Sequence, residues 1–353
     1  MTGPAQAARR VALSLIAAAT LAGPAPAQQA NPFVPAPAAA PTRGTTLRLG
    51  KCVNLSNMFD APSPGAWGRD LRDSDIANIA AKGFTAVRFP VRFSAHARQD
   101  APYTIDPAFL QRVRHIVDLA SSKGLAVIVD MHHYADEALF KDPLREAPRF
   151  TAMWRQIGAA FADAPRSVTF ELINEPNDKL DASNLRQVID PALAAVRETN
   201  PTRPVVIDGP KWANFDEMLK FDFPDDPNIV PTFHYYDPQN VGFDKAPWMN
   251  PAVRTDFGTA ADIAELKAFS ARIRGFIERT GRVPFVGEVG AHESRPVAMR
   301  ATYYSLVTSA FASVGVQSCA WGYTNTYHLW RDGSGWEPGI ADGMATTATL
   351  PAY

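Results

Sequence analysis

Residues 168–176 read Val-Thr-Phe-Glu-Leu-Ile-Asn-Glu-Pro, and residues 283–290 read Val-Pro-Phe-Val-Gly-Glu-Val-Gly. Each stretch is a short apolar run that reaches a carboxylate and then breaks at Pro or Gly, as a buried strand followed by a loop does. Glu175 and Glu288 therefore stand at the ends of two predicted strands. In barrels of alternating strands and helices, the carboxyl ends of the strands carry the chemistry.

The same strand pattern recurs along the chain and alternates with amphipathic segments. The predicted strands are nearly continuous in hydrophobicity, which is typical of parallel strands that are covered on both faces. They span residues 49–55, 86–90, 126–131, 168–173, 204–208, 229–234, 284–288 and 316–321. Helical periodicity is clearest over 106–123, 190–199, 260–280 and 295–313. Eight such units predict an α/β fold, a (β/α)8 TIM barrel in a single domain, with a reduced or absent last helix.

The N-terminal residues predict export. Arg9 and Arg10 precede an apolar run over residues 11–21, and Ala25-Pro26-Ala27 offers small residues for cleavage. The run is too short to span a bilayer, so residues 1–27 are read as a signal peptide and the product as periplasmic or extracellular. Residues 28–44, rich in Ala, Pro and Gln, are read as a disordered or extended linker. The catalytic domain is then residues 45–353.

The composition narrows the classes of partner. The 353-residue chain has a formal net charge of −1 and 46% hydrophobic residues, which gives no electrostatic case for binding nucleic acid or an acidic membrane. We expect a monomer, with no membrane contact after signal cleavage. Cys52 and Cys319 fall on the first and last strands, and an exported protein can oxidise them. A disulfide stays open, but the usual spacing of adjacent parallel strands favours two buried thiols.

Polar residues of the right chemical type stand at or just past the predicted strand ends. They are Asn54, Arg88, His132, Asn174, Glu175, His234, Glu288 and Trp321. A single polar residue at a strand end carries little meaning. A set drawn from most of the strands predicts a site at one mouth of the barrel.

These residues carry a resemblance to a known family. Asn174-Glu175-Pro176, His234-Tyr235-Tyr236 and Gly287-Glu288, with Arg88 and His132, resemble glycoside hydrolase family five, in the retaining barrel clan. The opening at residues 54–57, with Ala61-Pro62 and Trp67-Gly68, resembles the endoglucanase branch of that family. The resemblance covers roughly residues 47–335.

The resemblance implies a role for each residue of the pair and its neighbours. Glu175 would be the general acid and then the general base, and Glu288 would be the nucleophile, with carboxyl groups about 5 to 5.5 Å apart. Arg88 would hydrogen-bond Glu288 and keep it charged, and Tyr236 would donate to the same carboxylate. Asn174 would contact the sugar 2-hydroxyl. The remaining predicted substrate contacts are His132, His234, Asn54, His133, Trp212, Trp248 and Trp321, with Tyr323 as the fallback for Trp321.

The implied activity is that of a retaining endo-β-1,4-glucanase that needs no cofactor or metal and acts on β-linked polysaccharide or oligosaccharide. Residues 241–244 (Val-Gly-Phe-Asp) depart from the pattern of relatives, so β-mannanase or glucomannanase activity stays open. A metal-dependent barrel hydrolase is a rival, because His132, His133, His234, Asp130 and Glu288 could be ligands. Adjacent histidines on a strand point to opposite faces, which argues against it. A non-catalytic sugar-binding barrel is the last alternative.

Overall fold

Eight parallel strands form the closed barrel that the sequence predicts. The structure is a computed structural model that describes residues 30–244 and 254–351. Each strand pairs with the next, and β1 pairs with β8 to close the ring. The strands are β1 Cys52–Asn54, β2 Ala86–Val91, β3 Ala126–Met131, β4 Val168–Glu171, β5 Val205–Asp208, β6 Ile229–Tyr235, β7 Phe285–Val289 and β8 Ser318–Ala320. A two-stranded hairpin, β9 Trp330–Arg331 and β10 Gly335–Trp336, follows the barrel.

Helices surround the barrel. They are α1 Asp73–Ala81, α2 Pro107–Ser122, α3 Ala138–Lys141, α4 Pro143–Ala160, α5 Leu185–Arg197, α6 Pro210–Ala213, α7 Phe215–Met218, α8 Gln239–Gly242, α9 Ala260–Thr280, α10 Val297–Ala312 and α11 Ile340–Gly343. Short 3-10 turns lie at Phe93–His96, Ala135–Glu137 and Asn325–Tyr327. After β8 the described chain forms only the four-residue α11 in place of a full helix, as the Gly-rich sequence indicates.

The interior of the barrel has two different layers because alternate residues of each strand face inward. Near the start of the strands the interior is apolar, with Ala86, Ile128, Val206 and Phe285 in one buried cluster. Two residues further along the strands the inward positions turn polar: they hold Asn54, Arg88, Asp130, Glu171 and Asp208, all buried. The polar layer is the floor of the site described below.

The two cysteines form a disulfide, so the expectation of two free thiols was wrong. Cys52 and Cys319 are register partners where β1 meets β8, and their Cα atoms are 4.4 Å apart. That separation lies at the short end of the range that a disulfide accepts. The prediction used the usual spacing of adjacent parallel strands. It did not allow for the two cysteines lying directly opposite each other where β1 pairs with β8.

The segment before the barrel is bound to the domain. Backbone N–H groups within residues 36–43 donate to the carbonyls of Ala312, Gly315 and Gly281, and Phe33 is 8% exposed. The segment is therefore not a free linker over the described residues from 31 onward. The predicted signal peptide, residues 1–27, lies outside the described residues. Among those that are described, no helix combines the length and apolarity that a membrane crossing requires.

Candidate active site

The two glutamates that the sequence singled out meet at the carboxyl end of the barrel. Glu175 follows β4 by four residues, and Glu288 is the fourth residue of β7. His234 of β6 lies between them: its Nδ1 atom is 2.7 Å from Glu175 Oε1 and 3.6 Å from Glu288 Oε2. One oxygen of each carboxylate lies within 4.8 Å of the other. This proximity suits the separation of about 5 to 5.5 Å between the carboxyl groups of retaining enzymes better than the gap of about 6.5 to 9.5 Å in inverting ones.

Glu175 occupies a constrained turn. Its φ is 48°, a left-handed conformation that costs a non-glycine residue free energy. Its backbone N–H donates to Asp208 Oδ2 at 2.8 Å, and its side chain is 27% exposed to the cleft. Burial, with a smaller contribution from the Glu171 charge, raises the pKa of Glu175 to about 7, against the opposing effect of Arg88. A carboxyl with this pKa can hold a proton near neutrality, which a general acid requires.

The carboxylate of Glu288 accepts stronger hydrogen bonds than that of Glu175. Arg88 Nη1 donates to Oε1 at 2.9 Å, and the Tyr236 hydroxyl donates to Oε2 at 2.5 Å, so both predicted contacts are present. Burial raises the pKa of Glu288 above its ordinary value, while His234, Arg88 and the Tyr236 hydrogen bond oppose this effect. The guanidinium and the phenol favour the ionised carboxylate at Glu288 in preference to Glu175.

A bulge places Glu288 opposite His234. Between β6 and β7 the register passes from Phe233↔Val286 to His234↔Glu288, so Gly287 is the extra residue. A Cβ atom at Gly287 would lie 2.8 Å from His234 Nε2, closer than real Cβ contacts allow. Gly287 is therefore required at this position, because any larger residue would collide with the His234 ring.

Arg88 is the hub of the polar layer. It is fully buried in the middle of β2, not at the strand end where the sequence placed it. Besides Glu288 it donates to both oxygens of Glu171, at 2.8 and 2.7 Å, and lies 3.0 Å from Asp130 Oδ2. It also donates to the Asn174 amide oxygen at 2.8 Å. The Asn174 NH2 group is therefore the part that can donate to a sugar hydroxyl in the cavity that Asn174 lines.

Asn54 supports this hub and does not face the cavity, so its predicted role in substrate binding was wrong. It is fully buried, accepts from Arg88 Nη1 at 2.9 Å and donates to the Gly287 and Ala320 carbonyls. His234 also differs from the expectation of a substrate donor. Only 2% of its side chain is exposed, and its ring contacts the two acids.

The two adjacent histidines both reach the cavity. His132 and His133 follow the end of β3, so strand alternation does not separate them, and the reason given for excluding a metal site on that ground was wrong. His132 Nδ1 is 2.6 Å from Asp130 Oδ2, which orients the ring. Burial lowers the pKa of His132 well below its ordinary value and that of His133 to about 4, so both rings are neutral near pH 7.

Aromatic side chains surround the acids. The Trp321 ring stacks on the His132 ring with centroids 5.3 Å apart and planes 10° from parallel, so Trp321 borders the site. Tyr323 is fully buried against Trp330 and its hydroxyl contacts Asp75, which removes it as the fallback. Trp212 is 57% exposed and lines the cavity. Trp248 lies outside the described residues.

Sequence reasoning missed Glu171 and Asp208 as site residues. It named Asp130 only as a possible metal ligand and Trp67 only as part of the opening motif. Trp67 is 40% exposed, and its ring lies 5.7 Å from that of His133, which lines the cavity. The three acids are carboxylates within apolar strands, and that pattern was an available signal for Glu171 and Asp208 as much as for Glu175.

The comparison with protein families decides the assignment. The model for cellulases, glycosyl hydrolase family 5, matches residues 48–326. The chain belongs to glycoside hydrolase family 5. Among curated relatives of this family 5 chain, Endoglucanase H of Acetivibrio thermocellus is 28% identical over 313 residues, 87% of this chain and 34% of the relative. Cellulase/esterase CelE of the same organism is 27% identical over 302 residues, 77% of this chain and 35% of the relative. The chain thus spans about a third of their length.

Solved structures agree with the family assignment. One described as an endoglucanase superposes with a TM-score of 0.79 at 32% identity, covering 83% of this chain and 96% of the other. The endoglucanase Cel5A of Thermotoga maritima, solved with mannotriose, superposes with a TM-score of 0.80 at 26% identity and covers 84% and 97%. The same enzyme has also been solved with cellobiose.

Proposed function

We propose that this family 5 chain is a retaining endo-β-1,4-glucanase with Glu175 as acid and base and Glu288 as nucleophile. The observation that carries the proposal is the acid pair, with oxygens within 4.8 Å of each other and different partners on each carboxylate. The similarity to proteins named as endoglucanases favours a β-glucan substrate.

The reaction has two steps. Ionised Glu288 attacks the anomeric carbon while protonated Glu175 gives its proton to the departing glycosidic oxygen, which leaves as an alcohol. The glycosyl ester on Glu288 is then opened by a water molecule, and Glu175 takes one proton from that water. Arg88 and Tyr236 stabilise the carboxylate of Glu288 when it leaves again. The product keeps the configuration of the substrate.

The shape of the cleft favours cleavage within a chain. A cavity of about 720 Å³ is lined by Glu175 together with Arg92, His133 and Trp212, among others. Trp67, which contacts His133 and lies 5.5 Å from the Arg92 guanidinium carbon, adds an exposed ring at the β2 and β3 side. Exposed rings on different loops around the acids suit the flat faces of successive sugar units.

Product profiles on four polymers test the substrate. Carboxymethyl-cellulose and mixed-linkage glucan should yield a spread of short oligosaccharides with a rapid loss of viscosity, which is the result of internal cleavage. Mannan activity is the second candidate, because the Cel5A neighbour has been solved with both mannotriose and cellobiose. If oligosaccharides are released faster from galactomannan than from the glucans, the substrate is mannan and not the proposed β-glucan. No release from any of the polymers would contradict the activity.

Variants of the two acids test the roles. Glu175→Ala should recover activity on an aryl cellobioside with a good leaving group, since acid assistance is then unnecessary. Glu288→Ala should show no such recovery. Glu198, an exposed carboxylate directly after the last residue of α5, provides a control whose Ala variant should keep wild-type rates. Equal recovery of both site variants would overturn the assignment.

We also propose that the protein is exported and acts without a metal ion. The Cys52–Cys319 disulfide supports an oxidising compartment. N-terminal sequencing of protein from the medium and periplasm should start at Gln28, and retention in the cytosol with an intact leader would contradict export. Full activity after dialysis against a chelator is the expected result for metal independence. A loss of activity after dialysis that is reversed by adding Zn²⁺ or Mn²⁺ would support the metal-dependent alternative.

A further inference from the structure

Asp208 is a buried acid for which the two-step reaction has no use. It ends β5 and is 1% exposed. Its Oδ2 atom accepts the backbone N–H of Glu175 at 2.8 Å. Its Oδ1 atom is buried and, among the described residues, has no hydrogen-bond donor within reach. A buried carboxylate oxygen without a donor is costly, so this atom calls for an explanation.

The groups that face Asp208 come from the strands on both sides. Glu171 of β4 and His234 of β6 each bring a ligand-type atom within 4.8 Å of an Asp208 oxygen. The Glu171 carboxylate is held by Arg88, and His234 Nε2 is 3.9 Å from Asp208 Oδ2, too far for a hydrogen bond. Arg88 already forms salt bridges with Glu171, Glu288 and Asp130. Among the described residues, no Lys or Arg forms a salt bridge with Asp208, and Arg88 is already paired with these three other carboxylates.

We propose that Asp208 is a neutral carboxylic acid at working pH, whose Oδ1–H donates to the Glu171 carboxylate while Oδ2 fixes the backbone of Glu175. This inference rests on the proposed role of Glu175 as the acid. Asp208 is then a positioning residue: it joins the turn that carries the acid to the carboxylate that Arg88 anchors. Burial, together with the neighbouring Glu171 charge, raises the pKa of Asp208 well above its ordinary range, in agreement with this assignment.

The arrangement accounts for two properties of Glu175. The left-handed turn at φ 48° persists because a rigid acceptor holds its N–H. A neutral Asp208 also adds no negative charge behind Glu175. An ionised one would raise the pKa of Glu175 further and leave two carboxylates facing each other across a dry interior.

Amide substitutions separate a neutral acid from an ionised one. Asn can replace protonated Asp208, because its NH2 donates to Glu171 and its oxygen accepts from Glu175. We expect Asp208→Ala to lower kcat about tenfold or more on an aryl cellobioside with a poor leaving group and about threefold or less on one with a good leaving group. Asp208→Asn should retain most of the wild-type kcat, and the basic limb of its pH–rate profile should match that of wild type. The matched change Glu171→Gln, which removes a real charge from Arg88, should be more damaging than Asp208→Asn.

An equal loss in the Asn and Ala variants, or equal losses on both leaving groups, would overturn the proposal. A spectroscopic measurement keeps it testable even if the Ala variant fails to fold or the substrate is misassigned. The infrared difference between wild type and Asp208→Asn at about pH 8.5, where Glu175 is ionised, should show the C=O stretch of one protonated carboxyl. A carboxylate band in its place would refute the neutral acid, whatever the activity on glucans.

Discussion

Replacing Glu175 by Gln should change how the stability of the protein depends on pH. Burial raises the pKa of this carboxyl from 4.5 to about 7. The folded protein therefore binds a proton more tightly than the unfolded chain between these values. Wild-type stability consequently falls as pH rises through this window, because ionising Glu175 costs more in the folded state. Each pKa unit corresponds to about 1.36 kcal/mol, so the full cost is about 3 kcal/mol above pH 8.

The assay is urea unfolding of wild type and Glu175→Gln at a series of pH values from about 4 to 8.5, with the disulfide intact. The amide does not titrate, so the variant should gain stability relative to wild type by about 3 kcal/mol across the series, with most of the gain between pH 5 and 8. Near pH 4 the difference should reach a constant baseline set by the exchange of OH for NH2. The same series on a Glu198→Gln variant, at an exposed carboxylate, should show no comparable gain. A difference that does not depend on pH would refute the raised pKa.

Three further predictions concern the scaffold and the cleft. The double substitution of Cys52 and Cys319 by Ser should lower the free energy of unfolding by up to about 5 kcal/mol, since the bond closes a loop of 267 residues, and a reductant should affect wild type alone. Gly287→Ala should lower kcat about tenfold or more by displacing His234, whereas Gly275→Ala, with no atom within 4 Å of its new Cβ, should leave kcat unchanged. Trp212→Ala should raise KM for cellotetraose about tenfold and leave thermal unfolding unaltered, and an unchanged KM would remove this ring from the substrate site.

The order of strands was readable because parallel strands covered on both faces are apolar runs that local sequence can show. Helix α9 was predicted at its observed bounds, since Thr259 caps its start and Gly281 takes the left-handed φ at its end. Helix α4 was missed and α5 was started too late. Both contain an internal proline, Pro148 and Pro191, which suggests a break locally, and burial of the apolar face of each helix outweighs that preference.

Some residues of the site could likewise be predicted from the sequence, and others could not. Glu175 and Glu288 were predictable from strand-end motifs, because strand direction alone brings such residues to one mouth. The roles of Asn54 and His234 were not, since their hydrogen bonds reach elements that are not adjacent along the chain. Asn54 donates to carbonyls of β7 and β8, and His234 contacts Glu175 in the turn after β4. A carboxylate at the end of an apolar strand also marked Asp208 as a candidate, but its contact with the backbone of Glu175 appears only in three dimensions.

Covalent trapping tests the central claim most directly. A 2-deoxy-2-fluoro cellobioside with a dinitrophenolate leaving group slows the second step more than the first, so the glycosyl ester accumulates. Digestion and mass spectrometry of the inactivated protein should place the added disaccharide on the peptide that contains Glu288. The Glu288→Ala variant should remain unlabelled. A label on Glu175 or on any other residue, or product with inverted anomeric configuration by NMR, would contradict the proposed pair.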